Sequence, residues 1–215
     1  MKYDMIMFDI DGTIWDVSNI ITKAVNEVLK NHDIIRSVTH DQIIGGLGLS
    51  HVDFSNHVLS FVGEVDDRMQ MVKEADAIKN KMIDEQGVTP YPYFREVIKE
   101  LSNHYKIAIV SNCGPNTIEQ LLDVLDINSY VTDFMAASRF KITKGEAIKR
   151  VAENNNATNF VYIGDTITDK RACEEAGSDF IFATYGFGKD VESKYHIDSL
   201  NELCDVIKKM EEDNE

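Results

Sequence analysis

Cysteine is scarce in this chain: Cys113, Cys173 and Cys204 stand far apart, with no Cys-x-x-Cys spacing. That speaks against a disulfide framework and against a zinc site. No apolar run approaches the roughly 20 residues a bilayer span needs, and Asp4 and Asp9 interrupt the one early apolar segment. The N-terminus therefore lacks a signal-peptide pattern, and a cytoplasmic location is expected, with no membrane partner. Cations are few, with 22 Lys and Arg against 37 Asp and Glu and a formal charge of −15. Backbone binding to nucleic acid needs clustered Lys and Arg, so a nucleic-acid partner is not expected. An anionic small substrate stays open, because a local cation can override the global field. There is no internal repeat and no low-complexity segment.

What remains is an ordinary globular composition, 43% hydrophobic and 27% charged over 215 residues, long enough for one large domain or two modest ones. Five short apolar segments read as buried strands: Met5–Phe8, Lys106–Val110, Asp133–Ala136, Phe160–Ile163 and Phe180–Ala183. Helical patterns lie among them at Phe94–Ser102, Thr117–Leu125, Gly145–Asn154 and Lys170–Ala176, with a closing helix at Leu200–Glu211. Strands alternating with helices of that length predict βαβ units, hence an α/β fold with a parallel sheet. The acidic tail, Met210 to Glu215, is expected to be a frayed, solvated end.

Residues from about Asp16 to Gln86 differ. They show helical periodicity, as in Ile20–Lys30 and Arg68–Glu85, and no strand. A helical block inserted after the first strand predicts a small separate lobe, 16–87, on a core formed by 1–15 and 88–215. The lobe begins near Trp15–Val17 and ends near Gly87–Pro92, where Gly, Thr and two prolines break the pattern.

Three loops follow three apolar strands, and each opens with polar residues suited to phosphate or metal. Asp9 and Asp11 follow Met5–Phe8, Ser111 and Asn112 follow Lys106–Val110, and Gly164, Asp165 and Asp169 follow Phe160–Ile163. Ligands of open parallel sheets bind outside the carboxyl ends of strands, so these groups should converge. Singly, each has a plain alternative: Asp9 and Asp11 capping a turn, Ser111 as a loop hydroxyl, Asp165 and Asp169 capping the next helix. Coincidence at three strand ends is the poorer reading.

In these residues the chain resembles the haloacid dehalogenase superfamily, in its phosphatase branch. The resemblance rests on Asp9-Ile10-Asp11-Gly12-Thr13, on Ser111 with Asn112, and on Gly164-Asp165-Thr166-Ile167-Thr168-Asp169. It implies a Rossmann-like core and a phosphatase in which Asp9 attacks phosphorus while Asp11 protonates the leaving alcohol and then activates water. Such a nucleophile approaches a dianion, and the resemblance implies Mg²⁺ as the aid. The Asp9 side chain, the Asp11 backbone carbonyl and Asp165 would be its ligands, with Asp169 acting directly or through water. Ser111, the backbone near Asn112, and a lysine would hold the phosphate oxygens. Lys144, at the start of a helix, is preferred for that lysine, and Lys141 is the alternative.

The insert resembles the lid of the phosphoglycolate-phosphatase and β-phosphoglucomutase type. Gly45-Gly46-Leu47-Gly48-Leu49-Ser50-His51 is the candidate loop that meets substrate, its plain alternative being an inter-helix turn. Tyr185-Gly186-Phe187-Gly188 is the candidate lining of the site entrance, its plain alternative being a turn, and His51 and His57 receive no role. The expected partner is a small soluble phosphomonoester, with monomer or homodimer undecided. A phosphomutase and a non-catalytic phosphometabolite-binding protein are the alternatives. A dehalogenase or a response-regulator receiver fits less well.

Overall fold

The computed structural model describes residues 3–114 and 116–213. It contains strands β1 (Met5–Phe8), β2 (Lys106–Ser111), β3 (Asp133–Ala136), β4 (Phe160–Gly164), β5 (Asp179–Ala183) and β6 (Tyr195–Ile197). They form one sheet in the order β3-β2-β1-β4-β5-β6, and every neighbouring pair is parallel. The five expected strands are all there. The sixth lies beyond the sequence reading, because three residues with an exposed centre, His196, offer no alternation to read.

Between β1 and β2 run α1 (Ser18–Asn31), α2 (His40–Ile44), α3 (His51–Val62), α4 (Arg68–Gln86) and α5 (Phe94–Ser102). The later helices are α6 (Thr117–Leu125), α7 (Ala137–Phe140), α8 (Lys144–Asn154), α9 (Ile167–Ala176) and α10 (Leu203–Glu212). Strand side chains alternate between two cores, as a period of two requires. Ile6, Phe8, Ile107, Ile109, Val161 and Ile163 face a core that includes α5, α6 and α10. Met5, Met7, Ala108, Val110 and Tyr162 face a second core with α8 and α9. The helices obey the same logic: α5 buries Phe94, Val97, Ile98 and Leu101, one stripe at helical spacing.

Helices α1 to α4 carry a third buried cluster of their own, including Val25, Val28, Leu29, Ile43, Val58 and Met71. Asp67 caps α4 by accepting from the Gln70 amide at 3.0 Å, and Gly87, at φ +68°, ends it. Left-handed backbone there suits glycine and lets the chain turn back toward the sheet.

The expected frayed tail is corrected in part. Met210 is fully buried against the core, so α10 continues to Glu212; the tail residues 214 and 215 lie outside the described residues. Among the described residues no helix is long and apolar enough to cross a membrane.

Strand register positions the site. Phe8 stands opposite Ile109 on one side and Ile163 on the other. Asp9, Ser111, Gly164 and Asp165 therefore emerge together at the carboxyl edge of the sheet's centre.

Candidate active site

Asp9 leaves β1 still joined to β4, its amide donating to the Ile163 carbonyl at 2.9 Å. The chain then turns at Gly12, at φ +90°. A side chain at Gly12 is excluded twice over, since a Cβ would stand 2.2 Å from Asp165 Oδ2. The turn brings the Thr13 hydroxyl to Asp165 Oδ1 at 3.3 Å and Trp15 Nε1 to Asp11 Oδ1 at 2.7 Å.

Lys144 opens α8 and is buried. The side chain of Thr143 caps the helix by accepting from the Glu146 amide at 3.0 Å, fixing where its first turn begins. Lys144 Nζ donates to Asp9 Oδ1 at 2.9 Å and to Asp169 Oδ1 at 2.6 Å. Lys141, by contrast, is an exposed residue at the end of α7. The structure thus brings Lys144, and not Lys141, to Asp9.

Asp169 plays two local parts. Its Oδ2 accepts from the Thr166 amide at 2.9 Å and hydroxyl at 2.6 Å, a capping box that starts α9, while Oδ1 faces Lys144. The capping alternative read from sequence is therefore present together with the site placement. Asp165 is held by Thr13 and by the Phe187 amide, which donates to Oδ2 at 2.7 Å. The Tyr185–Gly188 loop presses on it so closely that a Cβ on Gly186 would lie 2.3 Å from Asp165 Cβ. That loop is nearer the site than an entrance.

Ser111 is buried at the end of β2, and the Cys113 amide donates to its Oγ at 3.4 Å. Asn112 points its side-chain amide elsewhere, to the Gly48 carbonyl at 3.2 Å. Gly48, at φ +85°, packs so tightly that a Cβ would meet Thr166 Cγ2 at 2.8 Å. The glycine-rich segment thus rests against both the β2 and β4 loops, more than a plain inter-helix turn needs.

Asp9, Asp165 and Asp169 form the one cluster, among the described residues, in which three carboxylates each offer an oxygen within 4.8 Å of the others. All three are buried, and Lys144 is the cation bonded to two of them, Asp9 and Asp169. Burial pushes the Asp9 carboxyl up to about 6, with Lys144 opposing and Asp169 adding to the rise. Burial likewise raises Asp165 well above the carboxylate range, helped by Asp169 and Asp9 and opposed by the Phe187 amide. Burial alone would lower Lys144, yet Asp169 and Asp9 outweigh it and hold the ammonium firmly charged. Asp11 is also raised by burial, against the Trp15 hydrogen bond and the charge of Lys79. An all-oxygen, under-compensated anionic cluster suits a hard divalent cation.

Thr13, Trp15 and Thr166 received no role of their own from sequence, and Phe187 entered only as part of the Tyr185–Gly188 loop. The Thr166-x-x-Asp169 spacing carries a capping-box signal that could have found Thr166. No local signal marks the bond from the Phe187 amide to Asp165, because it depends on a loop 22 residues further on folding back.

Cys113 lines a cavity together with Asp9, Asp11, Ser111 and Lys144, and burial together with Asp11 pushes its thiol up to about 12. That keeps it protonated and poorly nucleophilic.

Comparison with known proteins places this geometry. The profile of the haloacid dehalogenase-like hydrolases matches residues 6–183. A phosphoglycolate phosphatase of Aquifex aeolicus is 23% identical over 211 residues, covering 96% of each chain. A glyceraldehyde 3-phosphate phosphatase of Methanocaldococcus jannaschii is 25% identical over 229 residues, covering 97% of this chain and 98% of its own. Among solved structures, a predicted phosphoglycolate phosphatase from Haemophilus somnus superposes with a TM-score of 0.83 at 16% identity, covering 96% and 99% of the two chains. With the match running from β1 through β5 and all three site loops, the chain belongs to the haloacid dehalogenase-like hydrolase family, on its phosphatase side.

Proposed function

We propose that this chain is a Mg²⁺-dependent phosphatase that hydrolyses a small phosphomonoester through an aspartyl-phosphate on Asp9, with residues 16–87 as its lid. The observation that carries the reading is Lys144, buried and bonded at once to Asp9 and Asp169 beside Asp165. A cation in that position meets the two needs of the reaction. It orients the Asp9 carboxylate, and it neutralises phosphoryl oxygens as they approach.

In the first half-reaction an Asp9 oxygen attacks phosphorus and the bond from phosphorus to the ester oxygen breaks. Asp11 gives its proton to that oxygen, so the product leaves as an alcohol and not as an alkoxide. In the second half-reaction Asp11, now a carboxylate, takes a proton from water as the water oxygen attacks phosphorus. Inorganic phosphate forms, Asp9 is freed, and Asp11 is again protonated. The raised Asp11 carboxyl suits a group that must hold a proton part of the time, and Trp15 fixes where that group points.

Asp9, Asp165 and the Asp11 backbone carbonyl would hold Mg²⁺, with Asp169 contributing directly or through water. The hard oxygen donors and the excess negative charge fit that ion. When bound, it supplies charge neutralisation at the phosphoryl oxygens. Ser111 and the backbone at Asn112 would share those oxygens with Lys144. The Gly45–His51 segment would carry lid motion to the site through the bond from Asn112 to Gly48.

The test is release of inorganic phosphate from p-nitrophenyl phosphate by the purified chain. We expect release that requires Mg²⁺ and is lost in Asp9→Asn. Release that is independent of metal, or that survives Asp9→Asn, would refute the reading, as would inactivity across a broad panel of phosphomonoesters.

A further inference from the structure

The cavity that begins at Asp9, Asp11, Ser111 and Lys144 does not end there. It continues into the helical block between α1, α3 and α4, with a volume of about 140 Å³. Its inner wall is hydrocarbon: Val25 and Val28 from α1, Phe54 and Val58 from α3, Met71 and Ala75 from α4. These are in large part the side chains that would otherwise close the lid's own core. The cavity's volume includes the phosphate end, so its apolar end takes a guest no larger than the benzene-sized one that fills a cavity of roughly 150 Å³.

The charged groups along its wall are already committed. His51 Nε2 lies 3.1 Å from Asp76 Oδ2, and Lys79 Nζ lies 3.4 Å from Asp76 Oδ1 while donating to the Thr117 hydroxyl at 3.3 Å. Arg68 donates to the Val52 carbonyl at 3.5 Å. A leaving group bearing a carboxylate would come in beside Asp76, whose lysine and histidine partners are engaged with it. A hydrocarbon group would meet apolar side chains and displace poorly held water.

We propose that the leaving alcohol is apolar: the substrate is a phosphomonoester of a short alkyl or aryl alcohol, of at most about six carbons, whose hydrocarbon part fills the apolar end of this cavity. The inference rests on the phosphatase reading above and names its substrate class. The bond broken is the ester bond already described, and the products are the free alcohol and inorganic phosphate. Specificity then comes from burial of methylene groups between α1, α3 and α4, and the phosphate end supplies the anchoring.

The experiment is a series of methyl, propyl, butyl, hexyl and octyl phosphates, with phosphoglycolate as the carboxylate-bearing comparison, assayed with Mg²⁺ on the full chain. Each buried methylene should raise kcat/KM by about fourfold, up to about hexyl, with no further gain at octyl. Ala75→Phe, which fills the chamber, should collapse the hexyl-to-methyl ratio measured on one preparation. Should that variant not fold, Val25→Ala should move the best chain length upward instead. A series flat to within about twofold per preparation, or phosphoglycolate preferred over hexyl phosphate, overturns the proposal while release from p-nitrophenyl phosphate keeps the phosphatase reading. No release from p-nitrophenyl phosphate or any ester overturns both.

Discussion

Asp9 should destabilise the fold it serves, and its neutral isostere should be the more stable protein. Removal from water and the nearby Asp169 push its carboxyl from 3.8 up to about 6, even with Lys144 2.9 Å away. Each pH unit of that rise corresponds to about 1.4 kcal/mol, so keeping Asp9 ionised at pH 8 costs the folded state about 3 kcal/mol. The sign follows from proton binding. Because the folded protein holds the Asp9 proton more tightly than the unfolded chain, this group favours folding below about pH 4, and that advantage is lost as pH rises through about 6. Asp9→Asn has no such proton to lose. In EDTA at pH 8 its Tm should exceed that of the parent by about 6–12 °C, taking 2–4 °C per kcal/mol at this size. Near pH 4 the two should melt together. Mg²⁺ should narrow the gap at pH 8, because it binds the folded parent and raises it by mass action. Thermal melts followed by circular dichroism across pH 4–8 read all three. An Asn variant no more stable than the parent at pH 8, or a gap that does not change with pH, would refute the electrostatic reasoning.

Lys144→Met would leave Asp9 and Asp169 facing each other without their shared cation. Breaking such a buried pairing should cost about 3–5 kcal/mol in urea unfolding, with phosphate release down by about 10²–10³; a variant of parental stability contradicts this. Asp165→Asn should raise the Mg²⁺ concentration for half-maximal activity on the order of 10–100-fold, and remove the Mg²⁺-induced rise in Tm, which calorimetry or thermal shift would check. Gly48→Ala places a Cβ 2.8 Å from Thr166 Cγ2 at a φ of +85°. It should cost about 1–3 kcal/mol, and raise KM more than it lowers kcat, as steady-state kinetics would show.

The sheet and the convergence of its loops were legible because parallel strands send their carboxyl ends to one edge whatever lies between them in sequence. Four apolar residues at Met5–Phe8, followed by Asp9, contain that information locally. The helices were legible for the same reason: Ile118, Leu121, Leu122 and Leu125 mark one face at a fixed period. Lys144 was separable from Lys141 through its place at a helix start, and in the folded chain it lies buried beside Asp9. What escaped depends on contacts between distant segments. The Phe187 amide reaches Asp165 only after β5 returns to the sheet, and Asn112 meets Gly48 across 64 residues. The apolar chamber was illegible for a different reason. Val25, Val58 and Met71 read as ordinary core stripes at helical spacing, and only the packing of three helices shows that space is left between them. The tail was misjudged because Met210 stands between two lysines and a run of acidic residues, while its burial is set by the core opposite.

The central claim is that phosphate passes through a covalent bond to Asp9. Substrate carrying labelled phosphate, mixed with the Asp11→Asn variant and Mg²⁺ and quenched in acid within milliseconds, tests it most directly. With Asp9 intact and the proton carrier removed, breakdown of the acyl phosphate should slow more than its formation for an activated aryl ester, which leaves without protonation. The label should then remain on the peptide containing Asp9, be released by hydroxylamine, and be missing when Asp9→Asn is added. Turnover of that ester by the parent chain with no label on the peptide at any quench time, or label on another residue, would contradict the account.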